Sequence, residues 1–166
     1  MIAFKSRFWR VLMVPVFLSG LLSGAQSLPA ASTVKLNGPL PAGGDVGNYT
    51  ISPDGRYAVY LADQGTEGVK EIYSVSLGGG APLRLNPPFS PGKNVMGFKI
   101  SPDSSQVVYL ADQETDEVFE LYSVPIAGPA SAGFKLNGPL VEIAGVVWGD
   151  VLSYQISPDS TRVVYR

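Results

Sequence analysis

Along the chain the apolar residues come in short runs, each cut off by Gly, Pro, Asn, Asp or Ser. "YAVYLA" (57–62) and "VVYLA" (107–111) are apolar on both alternating faces, the pattern of a strand covered on its two sides. Two further runs follow: Val69, Ile72, Tyr73, Val75 and Leu77, then Val118, Leu121, Tyr122, Val124 and Ile126. Nothing from 33 to 166 sustains a helical period, so an all-β fold is predicted.

The punctuation sets the turns. "SPDG" (52–55) suits a type I turn, with Ser at its first position, Pro53 preset for the second, Asp54 third and Gly55 fourth. The same turn recurs with Pro102 and Asp103, and with Pro158 and Asp159, but Ser104 and Ser160 stand where Gly55 does. A fourth position of positive φ would make those two turns mildly strained. "GGGAP" (78–82) and "AGPASAG" (127–133) read as connectors.

These runs repeat as a block. Residues 51–64 laid on 100–113 agree at 10 of 14 positions, and "VKEIYSVSL" (69–77) falls on "VFELYSVPI" (118–126) at the same offset of 49. "KLNGPL" at 35–40 returns as "RLNPPF" at 84–89 and "KLNGPL" at 135–140. The "ISPD" copies are spaced by 49 and then 56 residues, so connections vary while elements persist. A period of this size signals stacked supersecondary units that bury their faces on one another. Four antiparallel strands per unit, apolar on both faces, describe a propeller blade; a duplicated β-sandwich is the alternative. The expected units are a leading outer strand at 34–37, a blade at 46–86, a second at 95–137 and a partial blade at 146–166. Closed rings use about four to eight blades, so an incomplete, open β-propeller of two to three blades is predicted, prone to self-association through its open edges.

"ISPDGRYAVYLAD", then "EIYSVSLGGG", then "LRLN" resembles the TolB-type, WD40-like β-propeller repeat over about residues 33–166. The resemblance is to the repeat and not to a whole TolB protein. Ile51, Ile100 and Ile156 stand where that family usually has Trp before the Ser-Pro pair, and the unit ends in Leu-Asn rather than Leu-Thr.

Composition narrows the chemistry. With no Cys and no His among 166 residues, disulfides, thiolate catalysis, Ser-His-Asp arrangements and the commonest metal ligand are excluded. Lys5, Arg7 and Arg10 flank the apolar "VLMVPVFLSGLL" (11–22), which is short for a bilayer span and suited to a signal peptide. Small residues place cleavage after Ala25, with Ser23 at −3, or after Ser27, so residues 1–27 are assigned as a signal peptide. Residues 28–166 then carry nine basic against fourteen acidic side chains, a net charge of −5. That balance, with no basic run, argues against nucleic acid and against a polybasic membrane contact.

Candidate sites are few. Asp112, Glu114, Asp116 and Glu117 in "ADQETDE", with Asp63 and Glu67 as counterparts, could offer oxygen ligands to calcium, although the spacing is not that of an EF-hand and a solvated hairpin tip fits as well. Asp54, Asp103 and Asp159 could ring a channel or cap their own turns. Tyr60, Tyr73, Tyr109, Tyr122 and Tyr165 could stack on sugars or pack between blades. "NYT" (48–50) matches a glycosylation acceptor by chance. No catalytic residue and no cofactor is expected. The favoured reading is a non-enzymatic exported module, periplasmic or secreted, that binds a protein or cell-envelope partner. The alternatives are the non-catalytic propeller of a prolyl-oligopeptidase-like peptidase, or a carbohydrate- or calcium-binding propeller.

Overall fold

The structure is a computed structural model that describes residues 33–143 and 146–166, with backbone alone for the strands 141–143 and 146–148. The expected signal peptide, residues 1–27, lies outside the described residues. Two four-stranded antiparallel meanders dominate. The first runs β1 (Val46–Ile51), β2 (Tyr57–Ala62), β3 (Glu71–Ser76) and β4 (Leu83–Arg84) in spatial order 1-2-3-4. The second runs β5 (Val95–Ile100), β6 (Gln106–Ala111), β7 (Glu120–Pro125) and β8 (Phe134–Lys135) in the same order. Equivalent residues pair in both: Tyr60 sits opposite Tyr73, and Tyr109 opposite Tyr122. Each first strand is bulged near its start, between Val46 and Tyr49 and between Val95 and Gly97. An extra residue there raises the local twist.

Packing follows from the two-faced apolar strands. Val59, Leu61, Ile72 and Leu85 of the first sheet meet Val107, Tyr109, Tyr122 and Val124 of the second in one buried cluster. The opposite face of the first sheet, with Ala58, Tyr60, Tyr73 and Val75, is covered by Leu36 and Leu40. The opposite face of the second, with Val108 and Leu121, is covered by Val151, Tyr154, Ile156 and Val163. So the sheets stack in series, each laying one face on the other face of the next, as propeller blades do. The Leu of the "KLN" marker lies on the following unit each time: Leu36 beside Tyr60, Leu85 beside Tyr109, Leu136 beside Val163. The chain is therefore all-β, built of stacked, open four-stranded sheets.

Two expectations need correction. Residues 34–37 form no strand, although Leu36 and Asn37 are buried, because no strand runs beside them among the described residues to supply a ladder. The partial third unit does not open at residue 146. Val146–Trp148 (β10) pairs instead with Val141–Ile143 (β9) in a separate hairpin. The unit proper is β11 (Tyr154–Ile156) paired with β12 (Val163–Tyr165). The wider spacing of the third "ISPD" copy is thus taken up in two places. "AGPASAG" is two residues longer than "GGGAP" and holds a 3-10 turn at Ala130–Ala132, and the remaining five residues build the β9–β10 excursion.

Candidate functional site

The recurring turn is a self-contained knot. Gly55 N–H donates to Ser52 O at 2.9 Å, and Asp54 Oδ1 accepts from Ser52 Oγ at 2.6 Å and from Arg56 N–H at 3.0 Å. Asp103 does the same with Ser101 and Ser105, and Asp159 with Ser157 and Thr161. The serine hydroxyls, with the backbone N–H groups, hold all three carboxyls below the ordinary Asp range, Asp103 at about 2. The three carboxylates cap their own turns and form no shared ring. Gly55, Ser104 and Ser160 have φ of 71°, 63° and 61°. The two serines therefore do carry the strain foreseen for them, and each has a use. Ser104 Oγ accepts the Asp54 N–H of the preceding unit at 3.1 Å, and Ser160 Oγ accepts that of Asp103 at 3.0 Å.

The acidic loop is likewise drawn into the scaffold. Asp112 is buried and accepts from Asn94 N–H at 2.6 Å and from Glu117 N–H at 3.4 Å. Asp63 accepts from the N–H groups of Asp45 and Gly68 in the same way. Glu114 pairs with Lys135 Nζ at 2.7 Å, while Asp116 and Glu117 are exposed. The structure does not bring these four residues together, and among the described residues no group of three or more acidic side chains is placed to hold a metal ion. The tyrosines divide. Tyr60 and Tyr73 stack at 5.5 Å, Tyr109 and Tyr122 at 5.4 Å, and all four are buried. Burial pushes the Tyr60 phenol up to about 12 and raises the other three as well. These four pack the interior of the stack, and Tyr165 is exposed.

A second buried knot was missed in the sequence. Glu71 is buried and accepts from Arg84 Nη1 at 3.1 Å, from Asn86 Nδ2 at 3.4 Å and from Tyr73 Oη at 2.8 Å. Glu120 accepts from Lys135 Nζ at 3.0 Å, from Asn137 Nδ2 at 3.3 Å and from Tyr122 Oη at 3.2 Å. The signal was present: a glutamate opens an otherwise apolar strand in both copies, and a cation and an Asn recur in the marker that follows. A charge in a buried strand needs partners.

Among the surfaces left outward is much of the first strand of each unit. Asn48, Tyr49 and Thr50 of β1, Met96 and Lys99 of β5, and Gln155 of β11 are exposed. A cleft of about 400 Å³ lies between β1 and β5, lined by Gly47 to Thr50, Gly97 and Phe98. A second, of about 450 Å³, is lined by Lys99, Tyr154, Gln155 and the end of β12. Lys99 Nζ lies 4.9 Å from the Tyr154 ring centre and donates to Tyr154 O at 2.7 Å. Asn48 of "NYT" sits in β1, in this band.

No protein-family model matches the chain, and no curated protein matches it. Among solved structures, the one described as "putative TolB from Agrobacterium tumefaciens" is similar at 20% identity and a TM-score of 0.47. The match covers 70% of this chain and 36% of that one, so the chain spans about a third of that structure's length.

Proposed function

We propose that the chain is a non-enzymatic, exported repeat module that binds a protein or cell-envelope partner through the band formed by β1, β5 and β11. The observation that carries this reading is a contrast inside the repeat. The turns, the stacked tyrosines and the Glu–cation–Asn knots recur from unit to unit, and their polar atoms are occupied by one another. The exposed polar position of the first strands does not recur: Thr50 of β1, Lys99 of β5 and Gln155 of β11 are equivalent and all exposed, and only the aromatic before each, Tyr49, Phe98 or Tyr154, keeps its type. A constant scaffold with a varied, partly aromatic face is how binding surfaces are built on repeat folds. The lack of His and Cys supports a binding role over a catalytic one. The basic flank and short apolar core at 5–22 support export to the periplasm or beyond, and among the described residues no helix is long and apolar enough to cross a membrane.

The test is site-specific photocrosslinking in envelope and secreted fractions, with a photoreactive phenylalanine replacing Tyr49 or Met96, and Glu67 on the hairpin loop as control. The expected result is one discrete adduct from positions 49 and 96 that is missing from 67. Equal labelling from all three sites, or none from the first two, overturns the reading.

A further inference from the structure

The two clefts between successive first strands differ at one exposed position, and the second shows what the first can hold. Lys99 of β5 reaches across to β11, where its ammonium lies 4.9 Å from the Tyr154 ring centre and donates to Tyr154 O at 2.7 Å. In β1 the equivalent of Lys99 is Thr50, and in β5 the equivalent of Tyr154 is Phe98. Thr50, Gly97 and Phe98 line the cleft of about 400 Å³ between β1 and β5, and their equivalents Lys99, Ser153 and Tyr154 line the one beside β11. The same walls are built twice. The second pair comes with a cation of its own, and the first does not.

The carbonyl that accepts the ammonium has its counterpart as well. Ser101 N–H donates to Gln106 O and Ser157 N–H donates to Arg162 O, which fixes the alternation of bonds along both hairpins. Counting back from those bonds, Phe98 opposite Tyr109 and Tyr154 opposite Tyr165 fall at pairs that exchange no ladder bond. Both carbonyls therefore point away from the neighbouring strand, to the free edge of the first. Lys99 takes the one at Tyr154, and Thr50 brings no charge to the one at Phe98.

We infer that the cleft between β1 and β5 receives a lysine side chain of a partner protein, its ammonium set over the Phe98 ring and donating to Phe98 O. A cation within about 6 Å of a ring centre is attracted by the negative face of the ring, and Phe98 is only half-buried. Asn48 and Thr50 add oxygens along the same walls. Lys70 lies at the Gly47 end of the cleft, but it is paired with Asp45 at 3.4 Å. The net charge of −5 over residues 28–166 favours the approach of a cationic group over an anionic one. This inference rests on the first-strand band being the binding surface, and it names the group recognised there.

The test is an amide-resolved NMR titration of the full chain with a blocked tripeptide, acetyl-Gly-Lys-Gly-amide, and with its norleucine counterpart. Saturable shifts at Gly97, Phe98 and Lys99 are expected from the lysine peptide, with an affinity on the order of millimolar, and none from the norleucine one. Thr50→Lys supplies the first cleft with a tethered ammonium and should abolish these shifts. Lys99→Thr empties the second cleft and should add a second set of shifts at Tyr154. Phe98→Leu should weaken binding about two- to fivefold, the loss of one exposed cation–ring contact. Should Phe98→Leu fail to fold, Thr50→Lys and Lys99→Thr still decide, because both positions are exposed. Equal shifts from the norleucine peptide, unchanged binding by Thr50→Lys, or no second set in Lys99→Thr overturns the inference. Discrete photoadducts from positions 49 and 96 without lysine binding would overturn the inference alone. Lysine binding without photoadducts would uphold the cation site and overturn the wider reading of the band.

Discussion

"ISPDSSQVVYL" at 100–110 and "ISPDSTRVVYR" at 156–166 are almost one sentence, and they end up in opposite surroundings. Their turns are alike: Ser101 and Ser157 donate to Asp103 and Asp159, Ser104 and Ser160 share a positive φ, and each of these two serines accepts a backbone N–H from the unit before. Their strands are not. Val108 is 2% exposed and Val164 is 70%, and Tyr109 is 1% exposed against 43% for Tyr165. The face of β12 that meets the second sheet is partly covered through Val163, and the other face is bare. Identical residues therefore make identical turns wherever they stand, because the turn's partners lie within a few residues. A strand's burial is supplied by whichever unit lies beside it.

The comparison breaks most sharply on the tyrosines. Tyr109→Ala removes a ring buried between two sheets and stacked on Tyr122, and should cost about 3–5 kcal/mol, the range for buried aromatics. Tyr165→Ala removes an exposed ring and one hydrogen bond from Gly138 N–H, and should cost about 1 kcal/mol or less. Urea unfolding of the two variants measures the gap. Equal losses would mean that β12 is as well covered as β6, against the stacking described above.

The buried knots come next in size. Glu71→Ala leaves Arg84, Asn86 and Tyr73 without their common acceptor, and should destabilise by about 2–3 kcal/mol. That is below the figure for a fully buried ion pair because Arg84 reaches solvent. Lys35→Ala, at the equivalent of Arg84, should be close to neutral in the same unfolding assay, since no glutamate faces it among the described residues. A large loss from Lys35→Ala would overturn the contrast between the two cations.

The legible part of this molecule was whatever a few consecutive residues decide. "SPD" carries its own turn, the apolar residues of "YAVYLA" announce cover on both faces, and the exact recurrence located eight strands of two sheets. Residues 34–37 misled because a strand exists only with a ladder partner, and "VKLN" looks the same with or without one. The β9–β10 hairpin was hidden in a connector whose extra length was visible but whose pairing was not. The Glu71 knot joins a strand to a marker thirteen residues on, so only the joint recurrence of Glu, cation and Asn could have exposed it.

Turn chemistry offers a finer cut between the units. Gly55→Ser places a side chain at φ 71° and should cost about 1 kcal/mol, since a Cβ there meets nothing within 4 Å that could repay the strain. Ser104→Gly relieves the same strain but gives up the acceptor for the Asp54 N–H, and the two effects should nearly cancel. Thermal unfolding of the pair checks this; a clear stabilisation by Ser104→Gly would mean that the link between units contributes nothing.

The smallest effect concerns acid. Hydrogen bonds from Ser101 and Ser105 hold the Asp103 carboxyl at about 2, below its ordinary value of 3.8. A carboxylate depressed in the folded chain adds stability above the unfolded value, and that stability is lost as the pH falls through the folded one. The window therefore runs from about pH 4 down to about pH 2. Asp103→Asn keeps an oxygen for the Ser101 hydroxyl and the Ser105 N–H but no longer titrates, so its thermal midpoint should fall less steeply across that window than the wild type's. Asp159 is depressed by the same kind of contacts, but its turn belongs to the less covered hairpin. Where the loss of β11 and β12 precedes global unfolding, Asp159→Asn should leave the main transition's pH slope unchanged. Equal slopes for Asp103→Asn and the wild type would show that the turn carboxylate is not linked to folding. A slope change from Asp159→Asn as large as that from Asp103→Asn would show that the third unit melts together with the first two.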